Sequence, residues 1–473
     1  MRLVLREITP FPDQFDLING VRNSMRRHKS VLMQSATGTG KTVMASYMMQ
    51  QAHAKGSRCI FVVPRRELLR QTAKTLDSYH IPYGCIAAGY TDNPFARIRL
   101  ATSGTLARRL DVIQVPNILF IDETHYGGGD LDKIIQWAKA GGAWIIGLSA
   151  TPWKLSGKGL GEWYDDMVQG PQVRWLIENR RLSDYRLFAP SRPDLSGIKT
   201  TAGDYNKGEL DDFMTADRVL IGNAVNHYRT HAMGRLNVAF GTSIKHAEII
   251  AQSFRDAGIP AAHVSGAMDD DEIARRVRAF ARRELLVLAN CEILTFGFDL
   301  SSAANMDVTI EAMSDLRPTK SISLQLQKWG RVLRMKDYPA MIFDHAGNSA
   351  PDLHGLPDSD RQWSLDGRDK KKGGEKTEPT RQCPQCYFVS RPSSVCPNCG
   401  FVHPVASREV EHIEGELEEV SRDQDLVIKM QARQAQGMAK SLDDLIRYGK
   451  LKGMQYPEQW AAKIITARAA KRG

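Results

Sequence analysis

Residues 36–42 read Ala-Thr-Gly-Thr-Gly-Lys-Thr, and residues 119–125 read Leu-Phe-Ile-Asp-Glu-Thr-His. The first run has the composition of a loop that cradles phosphate. In such loops backbone N–H groups and a helix N-terminus bind the oxygens, a lysine reaches the β/γ oxygens and a hydroxyl holds Mg²⁺. Thr37, Gly38, Thr39 and Gly40 would form the cradle, with Lys41 supplying the charge and Thr42 the hydroxyl. The second run ends an apolar stretch on two carboxylates. Asp122 would help hold the Mg²⁺, and Glu123 would orient or activate an attacking water. Each half needs the other to hydrolyse a nucleoside triphosphate such as ATP.

These groups need a strand before the loop and a helix after it. Residues 31–33 are Val-Leu-Met, and 43–54 continue as a helical stretch. The loop departs from the strict G-x-x-x-x-G-K-[ST] pattern at Ser35, where that pattern has glycine. Further short apolar runs at 59–63, 99–102, 118–122 and 144–148 read as strands alternating with helices. The alternation resumes after about residue 235, at 237–241, 261–264, 285–289, 308–310 and 341–344. Such alternation predicts two α/β domains, each a parallel sheet covered on both faces, of which only the first carries a phosphate loop. The expected division is 1–172 for the first domain, 173–234 for a connector and 235–350 for the second domain. Residues 351–380, poor in apolar side chains, read as a flexible linker. A cysteine module at 381–403 and a helical C-terminal region at 404–473 follow.

Composition narrows the partner. The chain has 64 Lys and Arg against 54 Asp and Glu, a net charge of +10, which suits a polyanion such as nucleic acid. No run of about 18 apolar residues occurs, so no membrane span is expected. The first residues are too charged for a signal peptide, and the expected location is the cytoplasm. Of seven cysteines, Cys59, Cys85 and Cys291 stand singly in or near apolar stretches and read as packing residues.

Other segments complete a set. Residues 149–151 are Ser-Ala-Thr, 295–299 are Thr-Phe-Gly-Phe-Asp, and 327–334 are Gln-Lys-Trp-Gly-Arg-Val-Leu-Arg, fitting Q-x-x-G-R-x-x-R. Their order resembles the motif set of the superfamily 2 DEAD/DEAH-box-type helicases and translocases. That resemblance implies two tandem RecA-like parallel-sheet domains with ATP bound between them. Gln14 resembles the family's adenine-reading glutamine, whose amide offers one donor and one acceptor to the base edge. Arg65 and Arg66, in Pro-Arg-Arg-Glu-Leu, resemble a contact to the nucleic-acid backbone, and a solvated arginine pair at a helix start is the alternative. Thr102 and Thr105 resemble a second such contact through hydroxyl and N–H donors. Ser149 and Thr151 resemble the segment coupling hydrolysis to domain movement, with His125 and Gln327 in the same role. Thr295 would touch nucleic acid, while Gly297 and Asp299 would touch nucleotide; the family often has proline soon after that aspartate, where this chain has Leu300-Ser301. Arg331 and Arg334 would act as arginine fingers on the transferring phosphoryl group.

Residues 316–334 and 342–348 (Ile-Phe-Asp-His-Ala-Gly-Asn), followed by the cysteine cluster, resemble the RadD-like branch of bacterial and phage DNA helicases. This implies DNA as the partner and a role in repair, recombination or replication. An RNA helicase, or an ATP-gated DNA-binding clamp or adaptor that separates no strands, carries the same motifs.

Cys383, Cys386, Cys396 and Cys399 form two C-x₂-C knuckles. Four thiolates at this spacing suit tetrahedral Zn²⁺ with a closed shell. A disulfide framework is the alternative, and it fits poorly with a chain expected in a reducing compartment. The module could be a structural staple, a DNA-contacting ribbon using Arg381, Arg391, Tyr387 and Phe401, or, like the C-terminal tail, a site for a protein partner.

Overall fold

The computed structural model describes residues 7–154, 157–189, 192–201, 203–291, 293, 300–367, 379–404, 441–451 and 456–469. The chain divides into two units, residues 1–404 and 405–473.

The first lobe of the larger unit is built on β1 Ser30–Gln34, β2 Cys59–Val63, β3 Gly84–Ile86, β4 Ile98–Thr102, β5 Ile118–Ile121, β6 Trp144–Ser149 and β7 Asp166–Gln169. All are parallel, in the order β3-β4-β2-β5-β6-β1-β7. The strands read as unbroken apolar runs because both faces are covered. Val31 and Met33 enter one core while Leu32 enters the other, as the two-residue period of a strand requires. Helices α1 Pro12–Ser24, α2 Lys41–Ala54, α3 Arg66–Ser78, α4 Ser103–Leu106 and α5 Gly129–Ala140 flank the sheet. α3 buries Leu68, Leu69, Thr72 and Leu76 at helical spacing, leaving Arg66 and Arg70 outside.

A short helix, α6 Val173–Glu178, leads to the second lobe. Its sheet comprises β8 Tyr185–Phe188, β11 Asn237–Phe240, β12 Ala261–Val264, β13 Val287–Asn290, β14 Ala312–Asp315 and β15 Ala340–Asp344, with a small hairpin of β9 Thr200–Thr201 and β10 Asp204–Tyr205 beside it. The order β12-β13-β11-β14-β15-β8 is again parallel throughout. Helices α7 Lys207–Ala216, α8 Arg218–His231, α9 Ile244–Asp256, α10 Asp270–Ala281, α11 Leu300–Ala304 and α12 Ile322–Val332 cover it.

Three expectations differ from the structure. Residues 173–234 are no mere connector, since β8 completes the second sheet and Ile221, Ala224 and Tyr228 of α8 lie in its core. The strand expected at 308–310 is β14, four residues later. It includes Ser314 and Asp315, buried polar residues satisfied by hydrogen bonds, which hides it from an apolar pattern. Residues 351–367 are packed, with His354, Leu356, Asp358 and Ser359 buried, whereas a flexible linker was expected.

The cysteine module pairs β16 Arg381–Gln382 with β17 Val389–Ser390 and joins the edge of the second sheet. The Ala189 N–H donates to the Tyr387 carbonyl (3.1 Å), and Phe388 meets Phe188 edge-on at 5.5 Å. In the second unit, helices Leu442–Leu451 and Pro457–Ala469 pack through Leu445 and Ala461. Among the described residues no helix is long and apolar enough to cross a membrane.

Candidate nucleotide site and interlobe cleft

The phosphate loop turns from the end of β1 into α2. Gly38 (φ 89°) and Gly40 (φ 85°) lie in the left-handed region that an L side chain rarely adopts. Space adds to the requirement at Gly40, where a Cβ would stand 2.8 Å from Gln14 Nε2. Ser35 Oγ lies 2.6 Å from Thr39 Oγ1, which in turn donates to the Ala36 carbonyl (2.7 Å). Serine therefore braces the turn from inside. Lys41 is buried, its Nζ donating to the carbonyls of Ser35 (3.2 Å) and Ala36 (3.4 Å). Thr42, beside it, starts α2. Gln14 is buried too, donating from Nε2 to the Thr39 carbonyl (2.7 Å) and accepting at Oε1 from the Phe11 N–H (2.9 Å). Its amide ties α1 to the loop and leaves one N–H for a base edge.

At the end of β5 the two carboxylates crowd together. Burial, and then the Glu123 charge, push the Asp122 carboxyl up to about 7, while Lys41 and the Glu123 N–H (3.0 Å) oppose the shift. Glu123 holds a left-handed backbone (φ 46°), uncommon for such a residue and typical of functional turns. Its Oε2 is buried and makes no hydrogen bond, with His125 Nδ1 3.3 Å away. A carboxylate oxygen without a hydrogen bond beside a reluctantly ionised aspartate fits a divalent cation and a water, which would satisfy both.

His125 links this turn to the rest of the cleft. Burial first, with help from Lys41, lowers its pKa to about 4 against the pull of Glu123, so the imidazole is neutral. Nε2 accepts from Gln327 Nε2 of α12 (2.8 Å), which leaves Nδ1–H to donate to Ser149 Oγ (2.9 Å). Ser149 Oγ donates onward to the Thr151 carbonyl (2.5 Å). Two further bonds cross between the lobes: Tyr126 Oη to Gln327 Oε1 (2.5 Å) and Thr151 Oγ1 with Ser323 Oγ (2.7 Å). Sequence reasoning passed over Tyr126 and Ser323. Ser323 stands four residues before Gln327, one helical turn away on the same face, which was a usable signal; Tyr126 offered none.

α12 and the turn after it also bring second-lobe groups to the loop. A Cβ on Gly38 would lie 3.8 Å from Arg334 Cγ and 3.2 Å from Leu182 Cδ2, so second-lobe groups cover the loop. Arg331 is buried, and its charge is felt at Tyr126. Burial drives the Tyr126 phenol well above its ordinary pKa, with Glu123 adding to this and Gln327, Arg331 and Arg65 opposing it. Gly330 has a role that was not anticipated. A Cβ there would stand 2.2 Å from Thr37 Cβ, so only glycine lets α12 approach the phosphate loop this closely.

The remaining predicted residues divide. Arg65 and Arg66 are exposed at the start of α3, and within the same helix Arg70 pairs with Asp270 of the second lobe's α10 (2.9 Å). Thr102 and Thr105 are buried and Thr102 Oγ1 donates to Thr105 Oγ1 (3.0 Å). Their hydroxyls brace the turn rather than face a ligand, contrary to expectation. Thr295, Gly297 and Asp299 lie outside the described residues. The sulfurs of Cys383, Cys386, Cys396 and Cys399 lie within 4.8 Å of one another, with the shortest separations 3.6 and 3.7 Å. Thiolates about 2.3 Å from a shared tetrahedral centre would be roughly 3.8 Å apart, so the four fit a common metal ion.

Comparison with known proteins agrees with this geometry. The family model described as type III restriction enzyme, res subunit, matches residues 7–154. The chain is 31% identical over 359 residues to a 51.5 kDa protein of a Lactococcus phage, covering 75% of this chain and 74% of that one. It is 23% identical over 352 residues to the putative mitochondrial ATP-dependent helicase irc3 of Schizosaccharomyces pombe, covering 69% of this chain and 55% of that protein. Among solved structures, the ATP-dependent type ISP restriction-modification enzyme LlaBIII bound to DNA shares the fold with a TM-score of 0.51 at 14% identity, over 72% of this chain and 28% of that one. The chain belongs to the superfamily 2 DEAD/DEAH-type helicases and is an ATP hydrolase.

Proposed function

We propose that this chain is a DNA helicase or translocase in which ATP hydrolysis between the lobes drives movement along a strand. The observation that carries this reading is His125. Its ring is bonded on one side to Ser149 of the first lobe and on the other to Gln327 of the second, two residues from Glu123. A change at the γ-phosphate felt by Glu123 therefore reaches α12 through His125 and its hydrogen bond to Gln327.

Lys41 leaves the loop carbonyls to bind the β/γ oxygens of ATP, and the remaining Gln14 N–H reads the adenine edge. Thr42 and Asp122 hold Mg²⁺, which offsets phosphate charge. Glu123 aims the attacking water at the γ-phosphorus. Arg331 approaches from α12 and Arg334 from the turn just after it, and both stabilise charge on the transferring phosphoryl group. Loss of the γ-phosphate loosens the grip of α12, and the lobes move.

Arg65 and Arg66 hold the DNA backbone, with the amides after Thr102 as neutral donors, so binding is insensitive to sequence. The resemblance of residues 316–334 and 342–348 to RadD-like helicases supports DNA over RNA and a role in repair, recombination or replication. Cys383, Cys386, Cys396 and Cys399 hold Zn²⁺, a closed tetrahedral centre that ties the two knuckles together.

ATP turnover measured with single-stranded DNA, duplex, forked DNA and RNA tests the reading, beside zinc content by atomic absorption. Stimulation by single-stranded or forked DNA and one zinc per chain are expected. Stimulation by RNA alone would move the protein to a different substrate class, and purified protein without zinc would remove the metal.

A further inference from the structure

The segment after β15 does not leave the second lobe directly. Residues 345–359 are packed into that lobe, with His345, Asn348 and Leu356 buried and His354 Nε2 2.8 Å from the Thr319 carbonyl. Arg361 then fixes the turn from within. Its guanidinium donates to the carbonyls of His354 (3.2 Å), Leu356 (2.9 Å), Pro357 (3.2 Å) and Ser359 (2.8 Å). Asp358 accepts from Tyr185 Oη of β8 (2.5 Å) and from Arg391 of the cysteine module (3.0 Å). This end is riveted to the second lobe and to the module together.

Within a few residues the chain is on the first lobe. Trp363 meets Trp153 edge-on, ring centroids 4.9 Å apart, and Trp153 Nε1 donates to the Ser364 carbonyl (2.8 Å). The Gly161 N–H donates to the Leu365 carbonyl (2.9 Å), and the Leu365 side chain packs against the first-lobe core containing Leu160 and Trp163. Contact with the first lobe is backbone to backbone. A Cβ on Gly159 would stand 1.9 Å from the Leu365 oxygen and 2.3 Å from the Gly367 nitrogen, atoms with no freedom to move aside. Gly159 has an ordinary backbone, so close approach is the reason for glycine there.

We propose that residues 351–367 are an intramolecular strap that holds the two lobes together, with Arg361 and Asp358 as its second-lobe anchor and Trp363 and Leu365 as its first-lobe clasp. The anchor buries charge in many hydrogen bonds, while the clasp is one ring pair, one indole hydrogen bond, the Leu365 side chain and a short run of backbone contacts. When the cleft opens, the clasp is the end that yields. The strap keeps the phosphate loop and α12 near one another between turnovers, so less of the protein must be closed by ATP itself. The kinetic consequence rests on the motor reading given above, whereas the lobe separation does not.

The test uses the full chain without nucleotide, carrying fluorophores on noncanonical amino acids at the exposed positions Lys133 and Lys245, one on each lobe. Gly159→Ala and Trp363→Ala are expected to lengthen and broaden the distance distribution relative to the parent chain. Adding ATP should restore the parent distance at higher concentration. KM for ATP should rise about fivefold, as when the closed population falls to about a fifth, with kcat within about twofold. Thermal unfolding of both variants accompanies the measurement, and Trp363→Ala, which only removes atoms, carries the test where Gly159→Ala unfolds. A distance distribution unchanged in a folded variant would overturn the strap, whatever the ATPase activity. A parent chain without ATP turnover would instead overturn the motor reading and leave the distance result standing.

Discussion

Asp122 and Asp315 both stand at the carboxyl ends of buried parallel strands, each with a lysine near it, and the two lobes use them differently. In the second lobe Lys328 Nζ donates to both Asp315 oxygens at 2.7 Å and to the Arg317 carbonyl at 3.0 Å. Gln325 and Asn348 add donors to the same carboxylate, each at 3.0 Å. Both charged groups, the Asp315 carboxylate and the Lys328 ammonium, have protein partners. In the first lobe Lys41 turns back onto loop carbonyls, Asp122 is held near neutrality, and Glu123 Oε2 has no hydrogen bond. A charge satisfied by the fold belongs to the fold; one left over is available to a ligand.

The contrast can be broken in several ways. Lys328→Ala strands a buried carboxylate and should cost about 3–5 kcal/mol of stability in a denaturant titration. A loss within about 1 kcal/mol would mean the pair is not structural. Lys41→Ala should do the reverse, cutting ATP turnover by about 10²–10³-fold, a magnitude typical of losing one preorganised charge donor. Its melting temperature should stay close to that of the parent.

The Asp122 contribution has a definite sign. Its folded pKa, about 7, lies above the ordinary value of 3.8, so the folded state keeps a proton that the unfolded chain releases. In chelator and without nucleotide, stability should fall as pH rises from about 4 to about 7 and then level off, by a few kcal/mol at most. Asp122→Asn should flatten that difference, read as parent minus variant across the window. A difference that grows in the opposite direction would mean the site is already neutralised by the protein. Ser323→Ala should have the smallest effect, about 1 kcal/mol or less on stability, with weaker coupling of ATP turnover to DNA. Turnover coupled as tightly as in the parent would remove Ser323 from the interlobe path.

Much of the nucleotide site could be read from residue order, because a phosphate loop needs fixed atoms at fixed spacing. Lys41, Asp122, His125 and Gln327, singled out from their motifs, are brought near one another by the fold, and most first-lobe strands begin and end where their apolar runs do. What escaped depends on tertiary contact. β7 reads Asp-Met-Val-Gln and is half-exposed at a sheet edge, so it lacks the signature of a buried strand. The strap is poor in apolar residues, and its order comes from Arg361 and Asp358 bonding groups that sequence cannot place beside them. Gly330 stood in plain view within Q-x-x-G-R-x-x-R, but its reason is a threonine on the other lobe. Thr102 and Thr105 show the reverse case, since their hydroxyls, expected at a ligand, are buried against one another.

In the proposed motor, hydrolysis needs both lobes at one phosphate. Arg331→Ala tests it most directly, with nucleotide affinity and ATP turnover measured on the same preparation in the presence of single-stranded DNA. Affinity within about threefold of the parent, with turnover reduced by about 10³-fold or more, is the expected result for a lost arginine finger. Turnover near that of the parent, or loss of DNA binding alone, would contradict it.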